Sequence, residues 1–252
     1  MLTTQRKQLI LQRLARDGQV VAKALSDEWG ISEDTVRRDL RELAAEGRLQ
    51  RVHGGALPAS AAVGDLQVRQ DLAPDDKRVL GRAGAALVRP GQVVILDGGT
   101  TSLQVVQHLP QDLRATVVTH SPVVAAALAG HVHIEVLGLG GRLYRHSMVN
   151  VGASVVEAAG RLRADLFLMG VTGVHAEAGL TTGDFEEAAV KRALHQRAAE
   201  TVVLASSDKL GAASPFTVAA LGELATLVVP ASAPVRMREE LRATGVDLAL
   251  AG

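Results

Sequence analysis

The chain has 252 residues, no cysteine, and equal numbers of basic (27 Lys and Arg) and acidic (27 Asp and Glu) residues. The missing cysteine excludes disulfides and cysteine-ligated zinc, and the charge balance excludes a generally polycationic protein. Aromatic residues make up only 2%, which disfavours a protein that stacks single-stranded bases. The sequence shows neither a signal peptide nor an apolar run of membrane-spanning length. We therefore expect a cytoplasmic protein of one large or two unequal domains, with no membrane partner.

Residues 1–57 have the pattern of three helices followed by a hairpin. Apolar residues spaced three and four apart predict a first helix ending near Gly18 and a second over 22–29. A third helix is predicted over 33–47, with Ser32 as its N-cap. The following run, LQRVHGGAL (49–57), predicts a short hairpin with a glycine turn. This order of elements is that of a winged helix-turn-helix domain.

Arginines concentrate in the third helix and the hairpin, with five of them against three acidic residues between positions 35 and 53. Arg37 and Arg41 share a helix face, where a DNA phosphate or a guanine edge would offset their like charges. Arg38 has an acidic residue four positions away on each side, so we expect it to be paired locally. The alternative for any single arginine is an ordinary solvated charge.

We predict that the third helix lies in a major groove of double-stranded DNA. Arg37 and Arg38 are then near bases, and Arg41 and Arg51 near phosphates. The predicted DNA-binding residues are Ser32, Thr35, Arg37, Arg38, Arg41, Arg51 and His53.

The rest of the chain has a different pattern. Residues 58–73 are small, polar and aperiodic, which predicts a linker or an irregular crossover. Short apolar runs then alternate with helical patterns through 74–252, which is typical of an α/β domain with a mostly parallel sheet. The predicted strands are 93–97, 116–120, 134–138, 164–170, 201–206 and 226–230. The predicted helices are 76–89, 101–109, 122–129, 152–161 and 186–199, and a further helix and strand are expected in 234–252.

Glycines and hydroxyl residues follow the first predicted strand of this domain, in LDGGTTS (96–102). Backbone amides, hydroxyls and a helix N-terminus together make a plausible phosphate cradle, although a tight turn is the alternative. It is not a Walker A loop, because no Gly-Lys-Ser/Thr follows. Further loops at predicted strand ends are 119–121, 170–194 and 206–211. Lys191 and Lys209 could reach an anion from there, although a solvated position is commoner for an isolated lysine.

These segments resemble the DeoR/GlpR family of bacterial transcription regulators. The N-terminal match is SEDTVRRDLRELAAEGRLQRVHGGALP (32–58), and the later matches include LDGGTT, VVTHS and SSDKLG. The resemblance extends over about residues 5–230. It implies a winged helix domain (1–57), a linker (58–73), and an effector-sensing and oligomerisation domain (74–252) that resembles ribose-5-phosphate isomerase in fold.

The resemblance also implies a function. The chain is expected to repress a carbohydrate-metabolism operon as a homo-oligomer on operator DNA, with a phosphorylated sugar as effector and no cofactor. The implied effector-binding residues are Gly98, Gly99, Thr100, Thr101, Ser102, Thr119, Thr172, Gly173, Asp184, Glu187, Lys191 and Lys209.

The chain departs from the family pattern at two places. His120 replaces an asparagine of many members, and Val171-Thr172-Gly173 replaces an Ala-Asp-Gly or Cys-Asn-Gly triplet. A threonine at 172 removes a proton acceptor, which weighs against the main alternative, a sugar-phosphate isomerase-like enzyme with an appended DNA-binding domain. A third hypothesis is an architectural DNA-binding protein whose α/β domain only oligomerises. His131 and His133 lack a third ligand nearby in sequence, so no metal site is predicted.

Overall fold

The computed structural model describes residues 2–252, apart from the side chain of Val63. Its α-helices are α1 (Thr3–Asp17), α2 (Ala22–Trp29), α3 (Glu33–Ala45), α4 (Leu66–Gln70), α5 (Pro74–Leu87), α6 (Thr100–His108), α7 (Pro122–Ala127), α8 (Ala153–Ala159), α9 (Phe185–His195) and α10 (Val235–Arg242). Its strands are β1 (Val20–Val21), β2 (Leu49–Val52), β3 (Gly55–Pro58), β4 (Val93–Leu96), β5 (Ala115–Thr119), β6 (Ile134–Gly138), β7 (Arg142–Tyr144), β8 (Val149–Val151), β9 (Ala164–Met169), β10 (Gly173–His175), β11 (Gly179–Thr182), β12 (Ala198–Leu204), β13 (Phe216–Ala219), β14 (Thr226–Pro230) and β15 (Leu248–Ala251).

The first three helices and a small antiparallel sheet form the N-terminal unit. The sheet has the order β1-β3-β2, and the β2–β3 hairpin is the predicted wing. Apolar side chains from all three helices share one core, including Ile10, Leu25 and Leu40. The Ser32 side chain accepts a hydrogen bond from the Thr35 amide, so the predicted N-cap of α3 is confirmed.

A buried ion pair that was not predicted from the sequence connects α1 to α3. The Arg6 guanidinium donates to both carboxylate oxygens of Asp39, with 2.9 Å between Nη2 and Oδ1. Asp39 is 1% exposed. A bidentate pair of this kind fixes orientation as well as distance, so it sets the angle at which α3 crosses α1.

The larger unit is built on a seven-stranded sheet in the order β15-β14-β12-β9-β4-β5-β6. Every neighbouring pair in it is parallel, as predicted. Helices α5, α6 and α7 pack on the face that includes Val94 and Leu96, whereas α8 and α9 pack on the face that includes Ile95. Because both faces are covered, these strands are continuously apolar rather than alternating.

Several short elements differ from the prediction. The helix predicted over 186–199 is too long, because α9 ends at His195 and β12 begins at Ala198. The β7–β8 hairpin and the small antiparallel sheet β10-β11-β13 were not predicted. These strands have only three or four residues each, and they lack the continuous apolar runs by which the strands of the parallel sheet were predicted. The predicted linker is also structured, since it holds a 3-10 turn (Ala61–Val63) and α4. Within residues 2–252 no helix is long and apolar enough to cross a membrane.

Candidate functional site

The loops that follow β4, β9 and β12 meet at the carboxyl edge of the parallel sheet. The strand order reverses between β4 and β9, and open α/β sheets bind ligands at such a reversal. The loops enclose a cavity of about 30 Å³, which we call the strand-end pocket. It is lined by Ala62, Arg69, Leu72, Lys77, Gly98, Gly99, Thr100, Thr101, Ser147, Gly170, Val171, Thr172, Thr182, Glu187, Lys191, Asp208 and Lys209.

A fully buried carboxylate, Asp97, organises the floor of the strand-end pocket. Its Oδ1 accepts hydrogen bonds from His120 Nε2 and the Gly98 amide, both at 2.8 Å. Its Oδ2 accepts from the Gly170 amide at 2.9 Å and from the Lys191 ammonium. The carboxylate thus accepts four hydrogen bonds, which occupy its lone pairs. These bonds connect the carboxyl ends of β4, β5 and β9 with α9.

The charges of this network stabilise one another. Burial alone would raise the pKa of Asp97, but the Lys191 ammonium and the hydrogen bond from His120 hold it well below its usual range. Burial alone would lower the pKa of Lys191, but the carboxylates of Asp97 and Glu187 raise it. Both members of the pair are therefore charged at neutral pH.

The first turn of α6 forms one wall of the strand-end pocket. Gly99 precedes the helix with a φ of 101°, and it provides no side-chain cap for the first-turn amides. A Cβ added at Gly98 would lie 2.3 Å from Val149 Cγ1, so only glycine fits there. The hydroxyls of Thr100 and Thr101 belong to the same turn. Amides, hydroxyls and the positive end of the helix dipole face the pocket together, as a phosphate requires.

Three further basic side chains surround this wall. Burial, together with neighbouring cations, lowers the pKa of Lys209 to about 8. Burial also lowers the pKa of Lys77 and of Arg69. The Lys77 ammonium donates to the backbone carbonyls of Arg69 and Leu72 rather than to a carboxylate. The attraction of an anion in the pocket would offset the desolvation penalty of all three cations.

Some buried polar atoms of the strand-end pocket have no hydrogen-bond partner among the described residues. They are Thr101 Oγ1, Arg69 Nε and Asp208 Oδ1. Buried polar atoms are nearly always paired, so each unpaired one indicates a missing partner. Two of these atoms can donate and one can only accept. A ligand that carries both an anionic group and hydroxyls supplies partners for all of them.

Most of the predicted effector-binding residues lie in the strand-end pocket. Those that line it are Gly98, Gly99, Thr100, Thr101, Thr172, Glu187, Lys191 and Lys209. The other four lie outside its lining. Ser102 bonds back to the Gly98 carbonyl, Thr119 accepts from the Ser121 amide, Asp184 caps α9, and Gly173 begins β10. Lys191 and Lys209 are 3% and 8% exposed, so the solvated position considered for isolated lysines is wrong for both.

The two departures from the family pattern have defined surroundings. His120 is fully buried, with its ring between Asp97 and the Asn150 carbonyl, and it does not line the pocket. The Thr172 hydroxyl donates to the Thr181 carbonyl at 3.1 Å and is 2.8 Å from Ser214 Oγ. Neither side chain is free to act as a base toward a ligand. Across residues 2–252 there is no cluster of three or more His, Asp or Glu suited to a metal ion.

Sequence reasoning missed several members of this site, among them the charged residues Asp97, Arg69, Lys77 and Asp208. Asp97 lies within the quoted LDGGTTS run, but a carboxylate was not expected in an anion cradle. Arg69 is the one basic residue of 58–73, and a single arginine in a small, polar stretch could have been taken as a signal. Lys77 gave no signal, because it belongs to an ordinary helical pattern.

The predicted DNA-binding residues lie together on the surface of the N-terminal unit. Arg37, Arg38 and Arg41 are exposed on α3, and Arg51 and His53 are exposed on the wing. One expectation is wrong. Arg37, not Arg38, is the paired arginine, because its Nη2 lies 2.8 Å from Glu33 Oε1, four residues earlier. Glu33 lies one helical turn before Arg37, which is the spacing of an i, i+4 ion pair.

Two family models together match most of the chain. Residues 6–61 match the model of a DeoR-like helix-turn-helix domain, and residues 73–230 match that of the DeoR C-terminal sensor domain. The HTH-type transcriptional regulator GlpR of Haloferax volcanii is 34% identical over 98% of each chain. The HTH-type transcriptional repressor GlcR of Bacillus subtilis is 31% identical over 95% of this chain and 93% of that protein. Among solved structures, ribose 5-phosphate isomerase A of Methanocaldococcus jannaschii aligns with a TM-score of 0.38 at 17% identity. The alignment covers 52% of this chain and 51% of the isomerase chain.

A winged helix unit joined to a sensor unit defines a DNA-binding transcriptional regulator. The chain belongs to the DeoR family of such regulators. The predicted class of function is therefore confirmed.

Proposed function

We propose that the chain represses a carbohydrate-metabolism operon, and that a phosphorylated sugar in the strand-end pocket modulates its binding to operator DNA. The proposed sign of regulation follows the GlcR relative, which is named a repressor. Action in the cytoplasm, on cellular DNA, is part of the same proposal.

The observation that carries the effector proposal is the charge around the strand-end pocket. Its lining has two more basic than acidic side chains, and Asp97 beneath it balances Lys191. One positive charge therefore remains uncompensated beside an uncapped helix N-terminus. A phosphate monoester compensates that charge, whereas a neutral sugar does not. The Asp208 carboxylate has an oxygen that is unpaired within the described chain and can accept a hydrogen bond from a sugar hydroxyl, which favours a phosphorylated sugar over inorganic phosphate alone.

The DNA-binding proposal rests on the exposed arginines of α3 and of the wing. The side chains of α3 read the major groove, while Arg51 and His53 on the wing contact the backbone. A single module of this size buries only about 600–1,000 Å² of protein surface on DNA. Useful affinity then needs two or more copies on repeated half-sites, and the proposal includes a homo-oligomer.

The proposal includes no catalytic turnover. The strongly lowered pKa of Asp97 makes it a poor base, and the Thr172 hydroxyl is already used in hydrogen bonds. A coupled isomerase assay on the purified chain tests this part. Turnover that disappears on changing Glu187→Gln would favour the isomerase alternative.

The effector proposal is tested by thermal unfolding with a panel of phosphorylated sugars, each beside its unphosphorylated parent. A ligand at about 100 times its dissociation constant adds about 2.7 kcal/mol of stability. For a domain of this size that raises Tm by about 5–10 °C. We expect a shift with a phosphorylated compound, none with its parent, and a weaker shift in Thr101→Val, which removes the unpaired hydroxyl at nearly constant volume. Equal shifts with compound and parent would refute a phosphate-reading pocket.

A further inference from the structure

The segment between the wing and α5 forms part of the strand-end pocket. We call residues 59–73 the connecting segment. Directly before it, the carbonyl of Pro58, the last residue of β3, accepts from the Ala213 amide at 3.1 Å. Ser60 then donates to the Thr172 carbonyl, in the lining of the pocket. Farther along, Ala62, Arg69 and Leu72 are themselves lining residues. The chain therefore passes from the DNA-binding unit to the sensor by way of the ligand site.

The cavity is too small for a phosphorylated sugar while the connecting segment occupies this position. Its volume of about 30 Å³ has room for only a few water molecules, since each needs roughly 10–15 Å³ of such space. Pockets for small organic ligands measure about 300–1,000 Å³. Ligand binding therefore requires one wall to move.

The connecting segment is the wall most easily moved. The other walls include loops that follow strands of the parallel sheet and residues of α5, α6 and α9, three helices that pack on that sheet. Helix α4, by contrast, has no fully buried residue. Its N-terminal end is held by the Leu66 amide, which donates to the His146 carbonyl at 3.1 Å. A wall held by a few hydrogen bonds and little buried apolar surface opens at low cost in free energy.

Arg69 is the residue of this wall that is suited to an anion. Its Nη2 donates to the His146 carbonyl at 3.2 Å, while its Nε is buried without a partner in the described chain. A guanidinium presents two parallel N–H groups that match two phosphate oxygens. The His146 carbonyl accepts from only one nitrogen of this guanidinium and carries no charge to balance it.

We propose that Arg69 binds the anionic group of the effector directly, so that the connecting segment is both a part of the effector site and the link to the wing. When Arg69 exchanges the His146 carbonyl for the ligand, the connecting segment changes position. Through Ser60 and Pro58 this change reaches β3 of the wing. The proposal rests on the proposed function, because it deepens the account of the same pocket.

Affinity for inorganic phosphate is the first test, measured by calorimetry at constant ionic strength. Hydrogen bonds to charged groups contribute about 1.5–3 kcal/mol, so Arg69→Ala should weaken phosphate binding about tenfold or more. Arg69→Lys keeps the charge without the paired N–H groups, so we expect an intermediate loss. The matched control is Arg145→Ala, an exposed arginine in the loop that contacts α4, which should bind phosphate like the unchanged chain.

Amide hydrogen exchange over 55–72, with and without phosphate, is the second test. We expect phosphate to change exchange in the connecting segment and in β3 of the unchanged chain, and not in Arg69→Ala at saturating phosphate. Equal phosphate affinity in Arg69→Ala and Arg145→Ala, or phosphate binding with unchanged exchange over 55–72, would overturn this proposal alone. Phosphate binding that is absent from the unchanged chain, or unaffected by Thr101→Val, would overturn the phosphate pocket as well.

Discussion

Replacing Asp97 by asparagine tests whether the buried ion network holds the sensor together. The carboxylate accepts from His120, Lys191 and two backbone amides, and it is fully buried. An asparagine at this position would keep the shape of the side chain but turn one acceptor oxygen into a donor. That donor then faces another donor, and the buried ammonium of Lys191 loses its main counter-charge.

The expected loss of stability is large. Removing one partner of a buried ion pair costs about 3–5 kcal/mol, because the other charge is left uncompensated. For a unit of about 180 residues this lowers Tm by about 6–20 °C. Circular dichroism with urea and thermal unfolding measures it, with the two units followed separately if they unfold in two steps.

Two further variants make the result interpretable. Glu157→Gln breaks an exposed ion pair with Arg161, so we expect a change below about 0.5 kcal/mol. Adding Lys191→Met to Asp97→Asn removes the stranded charge and should restore part of the lost stability. A loss below about 1 kcal/mol for Asp97→Asn, or a double variant as unstable as the sum of the single ones, refutes the reasoning.

Three other predictions concern the pocket, the DNA-binding surface and the N-terminal core. Because an anion favours protonated Lys209, affinity for sulfate should fall as pH rises through about 8, and calorimetry should find this fall absent in Lys209→Gln. Arg37→Ala should weaken binding to an operator selected from random DNA by about 1–3 kcal/mol. Arg41→Ala should instead lower the slope of log affinity against log salt concentration by about one on any duplex. Identical slopes in the two variants would contradict the assignment of Arg37 to a base and Arg41 to a phosphate. Asp39→Asn should destabilise the N-terminal unit by about 3–5 kcal/mol in urea unfolding, and a change below about 1 kcal/mol would contradict a buried pair with Arg6.

The N-terminal unit was largely predictable because its signals are local. Apolar residues three and four apart, the cap at Ser32 and the glycine turn of the wing each act within a few residues of the element they define. The misassigned pairing of Arg37 was also readable, since Glu33 lies four residues earlier on the same helix. The Arg6–Asp39 pair was not readable, because its partners are 33 residues apart.

The sensor was predictable in its strands but not in its pocket. A parallel sheet covered on both faces leaves continuous apolar runs, so the strands were found to within a few residues. The order of the strands in the sheet determines which loops lie next to each other. Neither residue spacing nor composition predicts that β4 pairs with β9. The link between Asp97 and Lys191 therefore needed the structure, as did the path of the connecting segment past the pocket.

The strand-end pocket satisfies part of its polar groups by internal hydrogen bonds, which an incoming effector would have to replace. Lys77 holds two carbonyls of the connecting segment, and Arg69 holds the His146 carbonyl. An effector that takes these donors must replace bonds that already exist, so its net affinity is the difference between two sets of contacts. In the proposed mechanism, that same difference drives the movement of the connecting segment. Strong internal hydrogen bonds lower the affinity for effector, but they enlarge the free-energy difference between the effector-free and effector-bound states. Weak internal hydrogen bonds have the opposite effects. Under the proposed mechanism, a substitution at Arg69 or Lys77 therefore changes both the affinity for effector and the strength of coupling to the wing.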